Sequence, residues 1–189
     1  MSLRLITAPG VEPVSLAEAK AQLRVTASDE DALVSACITA ARERCEHLLG
    51  RALIDQTWEL TLDAFPQAIR LDNPPISSVT SLSYVDGSGN TVVWGAPNYY
   101  VDKSGEPGWI VPAYGGAWPA DVRDQANAVI VRYVAGYGAA AAAVPLAIRQ
   151  WILLATGTLF ETREADDVKQ KVQHLFVDGL LDRYRIWSV

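Results

Sequence analysis

Two histidines, His47 and His174, and two cysteines, Cys37 and Cys45, are all the imidazole and thiol in the chain. Any Ser/His/Asp or Cys/His centre, and any zinc site, has to be drawn from these four. Both histidines fall on stretches with helical amphipathic spacing. His47 sits where its helix should end, a position at which the helix dipole favours a cation without any chemistry. The cysteines lie eight positions apart on one predicted helix, about 12 Å along its axis, farther than the roughly 7 Å that a disulfide spans. They read as small buried hydrophobes.

Gly136-Tyr-Gly138-Ala-Ala-Ala141 satisfies the G-x-G-x-x-[GA] pattern of a dinucleotide loop, between a predicted strand and a predicted helix. That loop binds only when the helix starts at it and leads to a parallel strand with an acidic residue about twenty positions on. Here Val144-Pro145 restarts the chain and helix follows helix. Asp29, Glu30 and Asp31 read as residues of a helix start, and Glu164, Asp166 and Asp167 as a solvated turn. The sequence has no G-x-S-x-G elbow, no Walker loop and no H-E-x-x-H pair. We therefore expect no catalytic residue, no cofactor and no metal. A small hydrolase or nucleotide-binding enzyme is the least supported function.

The chain has 189 residues, with 16 Lys plus Arg against 22 Asp plus Glu and a formal charge of −6. Residues 58–138 are the acidic part, with four basic and eight acidic side chains. Such a balance gives no reason to hold nucleic acid by neutralising phosphates. The alternative of a DNA-packaging accessory that binds duplex would need Arg42, Arg44 and Arg51 on one basic face. Half the residues are apolar and a fifth charged, as in one globular domain with a sizeable core. The longest apolar stretch, Trp151 to Phe160, is too short to span a bilayer, and no signal-peptide pattern is present. A soluble, unexported protein with no membrane partner is expected.

The motivated reading is an interaction protein. Of six tryptophans, Trp94 and Trp109 lie in turn-rich sequence, Trp118 precedes Pro119, and Trp187 follows Tyr184-Arg-Ile close to the last residue. Tyrosine and tryptophan concentrate binding energy at interfaces. The candidate residues for contact between copies or with partners are Ile38, Trp151, Leu153, Leu180, Tyr184 and Trp187.

The elements that must position them follow from spacing. Ser15 and Glu18 form a capping box ahead of a helix over Leu16–Leu23. Ser28 opens a second helix, along which Val34, Ile38, Ala41, Cys45, Leu48 and Leu49 recur at helical spacing until Gly50 stops it. Its other face carries Arg42, Glu43, Arg44, Glu46 and His47 as a solvated face, with Arg42 and Glu46 spaced for an i,i+4 pair. From Trp58 the period changes to short β runs, Trp58–Leu62, Val79–Val85, Thr91–Trp94 and Ala128–Val134, with Asp86–Asn90 as a hairpin loop. Tyr99–Pro119, rich in Gly, Pro and aromatics, reads as mostly irregular. Pro145 starts a helix to about Phe160 that is apolar almost all round, and a last helix carries Val168, Val172, Leu175, Phe176 and Leu180. The fold class expected is α+β, with N- and C-terminal helices packed as a helical bundle (1–57 with 139–189) and an inserted β-rich subdomain at 58–138.

Pro13-Val-Ser-Leu-Ala-Glu-Ala-Lys-Ala-Gln-Leu-Arg24, Asp29-Glu-Asp-Ala-Leu33, Ala40-Ala-Arg-Glu-Arg-Cys-Glu46, Gly50-Arg-Ala-Leu-Ile54 and Gln56-Thr-Trp58 together resemble the tailed-phage head-tail connector family. Pro74-Pro75-Ile-Ser-Ser-Val79, Tyr84-Val-Asp86 and Val134-Ala-Gly-Tyr-Gly138 leading to Val144-Pro145 are similar to its longer, β-containing prophage branch. The resemblance implies a non-enzymatic adaptor that forms a ring below the portal, with a multiplicity close to the portal's, extends the DNA channel and joins head to tail components. It implies as partners other copies of the chain, the portal protein and head-completion or tail-side proteins, with duplex DNA passing through unbound. The location implied is the virion head-tail junction, after assembly in the bacterial cytoplasm. An acidic lumen would suit such a channel, since it repels DNA.

Overall fold

Along Val129–Ala135 every second residue is apolar and enclosed: Val129, Val131, Tyr133 and Ala135 are buried while Arg132 points to solvent. This is the period-two signature of a strand with one covered face, and it forms the middle of a sheet. The computed structural model describes residues 1–161 and 179–186. In chain order they form β1 (Ser2–Thr7), α1 (Leu16–Leu23), α2 (Asp31–Leu49), β2 (Gln56–Leu62), β3 (Ile69–Leu71), β4 (Ile76–Val85), β5 (Thr91–Val93), β6 (Tyr99–Asp102), β7 (Gly108–Pro112), β8 (Val129–Ala135) and α3 (Leu146–Glu161), with 3-10 turns at Ala96–Asn98, Ala141–Ala143 and Asp182–Tyr184.

The chain divides into two compact units. The β unit comprises Met1–Gly10 and Asp55–Tyr137. Its first sheet has the order β1-β2-β8-β4-β5 and its second the order β3-β7-β6, all neighbours antiparallel. One face of the larger sheet gathers Leu60, Val131, Leu82 and Tyr84. Ile69, Leu71 and Ile110 are buried from the smaller one. Tyr133, fully enclosed, donates its hydroxyl to the Asp72 carbonyl at 2.9 Å, the partner a buried phenol needs. The hairpin loop falls where expected: Val85 pairs with Thr91, and the Asp86 carboxylate accepts from the Asn90 amide at 2.8 Å.

The helical unit comprises Val11–Ile54 and Gly138–Val189. Ser15 caps α1, its hydroxyl accepting from the Glu18 amide at 3.2 Å while Glu18 Oε2 accepts from the Ser15 amide at 2.8 Å. Gly50, in the left-handed conformation at φ 65°, ends α2; a side chain there would be strained. Val34, Cys37, Ile38, Ala41, Cys45 and Leu49 of α2 and Ile148, Trp151 and Ile152 of α3 form its core, with α2 packed on α3 and α1 on both.

Several expectations are corrected. The fold is mixed α and β, but it is not a bundle of N- and C-terminal helices around a β insertion. The described chain begins with a strand that pairs with β2, and it holds eight strands in two antiparallel sheets against three helices. Ser2-Leu-Arg-Leu-Ile-Thr7 is too short and too weakly alternating to announce itself, and its state is decided by the partner strand rather than by local pattern. Tyr99–Pro119 is irregular over most of its length, but it also holds a hairpin that its pattern did not announce: β6 and β7 pair from Tyr99 with Pro112 to Asp102 with Trp109. The helix at 31–49 is not capped by Ser28. Glu30 occupies the cap position without a side-chain capping bond, and the Ser28 carbonyl accepts from the Asp31 amide at 3.2 Å. The expected last helix lies largely outside the described residues; of it, Leu180 stands in a turn before the 3-10 turn Asp182–Tyr184.

Candidate assembly surfaces

His47 is exposed near the end of α2, and His174 lies outside the described residues. Cys37 and Cys45 are free and buried. Burial, with a smaller contribution from the Glu46 charge, pushes the Cys45 thiol up to about 12, and burial also raises Cys37. A thiol held in that state is no nucleophile at neutral pH. Among the described residues no cluster of His, Cys, Asp or Glu could hold a metal ion, and no helix is long and apolar enough to cross a membrane. After Gly136 and Gly138 the chain forms a 3-10 turn, and α3 begins only at Leu146, so the dinucleotide pattern lacks its helix.

Arg42 departs from the solvated face assigned to it. It is buried, with Nε 2.8 Å from Glu12 Oε2 and Nη1 2.7 Å from Glu46 Oε2. Glu12 also accepts from Thr39 Oγ1 at 2.9 Å, and Glu46 from the Leu53 amide at 2.9 Å. The network fastens the segment before α1 and the turn after α2 to the same helix. Arg51 is buried as well, its Nε bonded to the Tyr184 carbonyl, and the Ile186 amide donates to the Leu49 carbonyl at 2.9 Å. With two of the three arginines turned inward, the basic face required for direct duplex binding does not form.

Several large apolar side chains remain on the outside. A shallow groove of about 610 Å³ in the helical unit is lined by Val11, Val14, Leu16, Ile38 and Ala140, with Glu12 at its side. Ile38 is its floor, 1% exposed. Trp151 is 3% exposed and serves the core, while Leu153, Leu180 and Tyr184 are half-buried and Trp187 lies outside the described residues. Pattern reading missed Leu33, Leu146, Leu154 and Leu159, which are the exposed large apolar residues of the helices; a helix apolar all round does not declare which side is open. Two tryptophans of the β unit are less available than their turn-rich context suggests. Trp118 stacks on Phe65 with centroids 4.7 Å apart, and Trp94 meets Tyr84 edge-on at 6.2 Å. Trp109 and Tyr100 are exposed on β7 and β6.

Residues 13–84 match the model of the phage gp6-like head-tail connector proteins. Over the whole chain the fold is similar to a chain in the neck of an empty gene transfer agent particle computed with C6 symmetry, at 26% identity and a TM-score of 0.81, covering 100% of this chain and 97% of that one. A chain of the virion of the native gene transfer agent particle is similar at 25% identity and a TM-score of 0.82, with the same coverage. The family model takes in the helical unit's first half and the first strands that follow it in the β unit, and the neck and virion chains the whole length. A third chain, from the native neck computed with C12 symmetry, shares the fold at 23% identity and a TM-score of 0.70. No curated protein matches the sequence. In this chain the Arg42 and Arg51 guanidinium groups sit inside, both thiols are buried, and apolar side chains reach the surface of both units.

Proposed function

We propose that this chain is a head-tail connector, a non-enzymatic adaptor that assembles as a ring at the head-tail junction of a phage or prophage particle, docks on the portal on one side and on head-completion or tail-side proteins on the other, and lets the genome pass. The observation that carries the reading is the end-to-end similarity to a neck chain at 26% identity, which spans both units rather than one shared motif. Its mechanism is interface burial, on the order of 1,200–2,000 Å² for each stable contact. Leu153, Leu180 and Tyr184, together with the exposed leucines of α2 and α3, supply apolar surface for it, and Trp187 is a further candidate. The formal charge of −6 gives duplex DNA no reason to adhere in transit.

Light scattering over a concentration series, with purified portal protein present and absent, tests this. The expected result is a ring, formed alone or on the portal, with a multiplicity close to the portal's. A chain that stays monomeric at every concentration and does not co-sediment with portal would overturn the proposal.

A further inference from the structure

Among the described residues the larger sheet of the β unit is open at both ends, and its two edges are not equally protected. β5 is only three residues long, so a partner strand there makes a short ladder. β1 has six residues, and five of them are exposed, including Leu5 at 41% and Ile6 at 40%. Its one charge is not free to guard the edge. Arg4 is bound to Glu59 on β2 at 2.9 Å, and Glu59 also takes Arg132 on β8 at 2.7 Å. Proline and lysine, the usual edge guards, are absent from it, and its irregularity is confined to the end, between Leu5 and Thr7.

The rows of the sheet say what an added strand would meet. Leu3 pairs with Leu60, which pairs with Val131, which pairs with Leu82; Leu5 pairs with Trp58, which pairs with Tyr133. This is the core-side face, and its cover thins from the fully buried Leu60 and Tyr133 to the exposed Leu5. A strand beside β1 with an apolar residue on that face would continue both the hydrogen-bond ladder and the apolar row. At the far end Val92 pairs with Tyr84, which pairs with Val129, so Val92 is the residue of β5 on the same face.

Every neighbour in β1-β2-β8-β4-β5 is antiparallel, so β1 and β5 run in the same direction. Rotation about a ring axis lying along the strands keeps that direction from copy to copy. Two β1 edges could instead meet about a twofold axis, but that contact is closed and stops at a dimer. We infer that the free edge of β1 is an assembly site for a second copy of this chain, pairing in parallel with β5 of the neighbouring subunit, so that the sheet runs on around the ring. The inference rests on the ring reading above and adds a backbone ladder to its side-chain contacts.

Paired cysteines test it in the full-length chain assembled with portal. Leu3→Cys or Leu5→Cys is combined with Val92→Cys, the two pairs sampling adjacent registers, and each single variant serves as control. Oxidation is expected to give a ladder of covalent multimers from at least one double variant and none from the single variants. Leu5→Lys is expected to keep the melting temperature of the wild type while raising the concentration needed for the ring by about tenfold, equivalent to roughly 1.4 kcal/mol. Rings that form normally in Leu5→Lys and yield no ladder from either double variant would overturn the edge contact and leave the ring standing. A dimer from Leu5→Cys alone would overturn it in favour of twofold pairing. A wild-type chain that never assembles, with or without portal, would overturn both readings.

Discussion

Arg42 is the residue at which a surface-looking charge becomes an internal one. Its guanidinium holds Glu12 and Glu46 at 2.8 and 2.7 Å, so Arg42→Ala leaves two carboxylates with their cation gone. Breaking a buried pair in this way costs about 3–5 kcal/mol; Glu12 keeps part of its surface in water, which puts the expected loss at about 2–3 kcal/mol, readable as a fall in the urea midpoint at constant slope. The i,i+4 spacing to Glu46 was legible in the sequence. The burial was not, because Glu12 comes from thirty positions away and no local pattern brings it there. Glu59 gives the acid side of the stability profile. Bonds from Arg132 first, and then Arg4, hold its carboxyl below the ordinary range against the opposing effect of burial. A folded-state value below the unfolded one means stability that is complete above the unfolded carboxyl's range, near pH 4.3, and is lost as the pH falls through the folded value. Urea midpoints measured from pH 7 to pH 3 should decline on the acid side, and Glu59→Gln should flatten that decline.

At the scale of elements, legibility follows how local the determining contacts are. The eight-residue α1 was readable because its start is encoded in four consecutive residues, and an isolated helix of that length is too short to persist without them. Ser15→Ala removes the acceptor for the Glu18 amide and loosens the return bond, which should lower stability by about 1 kcal/mol, seen as a lower thermal midpoint with an unchanged spectrum below it. The β6–β7 hairpin was not readable, because Gly, Pro and aromatic residues that suggest turns serve here as spacing for a partner. Gly108 opens β7 where a Cβ would lie 2.8 Å from Ile76 Cγ1 and 3.3 Å from the Asp102 carbonyl. Gly108→Ala should therefore cost about 1–3 kcal/mol through overpacking, whereas Gly105→Ala in the nearby turn, with ordinary clearance, should be nearly neutral in the same melt.

For the whole molecule the question is which apolar surface holds the subunit together and which is left for assembly. The two lie on one helix. α3 is apolar almost all round, so its sequence could not separate them, and Trp151 and Leu153 stood together as contact candidates; in the fold Trp151 is 3% exposed and belongs to the core, while Leu154, three positions on, reaches solvent at 38%. The helical unit is closed over long sequence distances, by Arg149 Nε on the Pro13 carbonyl at 2.9 Å and by the Ile186 amide on the Leu49 carbonyl, and these closures decide which side of α3 is covered. The consequence is a separation of effects. Trp151→Ala should destabilise the free chain by about 3–5 kcal/mol, the cost of emptying a large core site, and should weaken assembly only as far as it unfolds the subunit. Leu154→Asp should leave the melting temperature of the free chain within a few degrees of wild type and yet reduce ring formation on the portal. If Leu154→Asp folds and assembles like wild type, the outer side of α3 takes no part in the ring and the contact must be sought on the sheet edges and the exposed face of β6 and β7; if it unfolds the chain, Leu154 serves the subunit fold rather than a free surface.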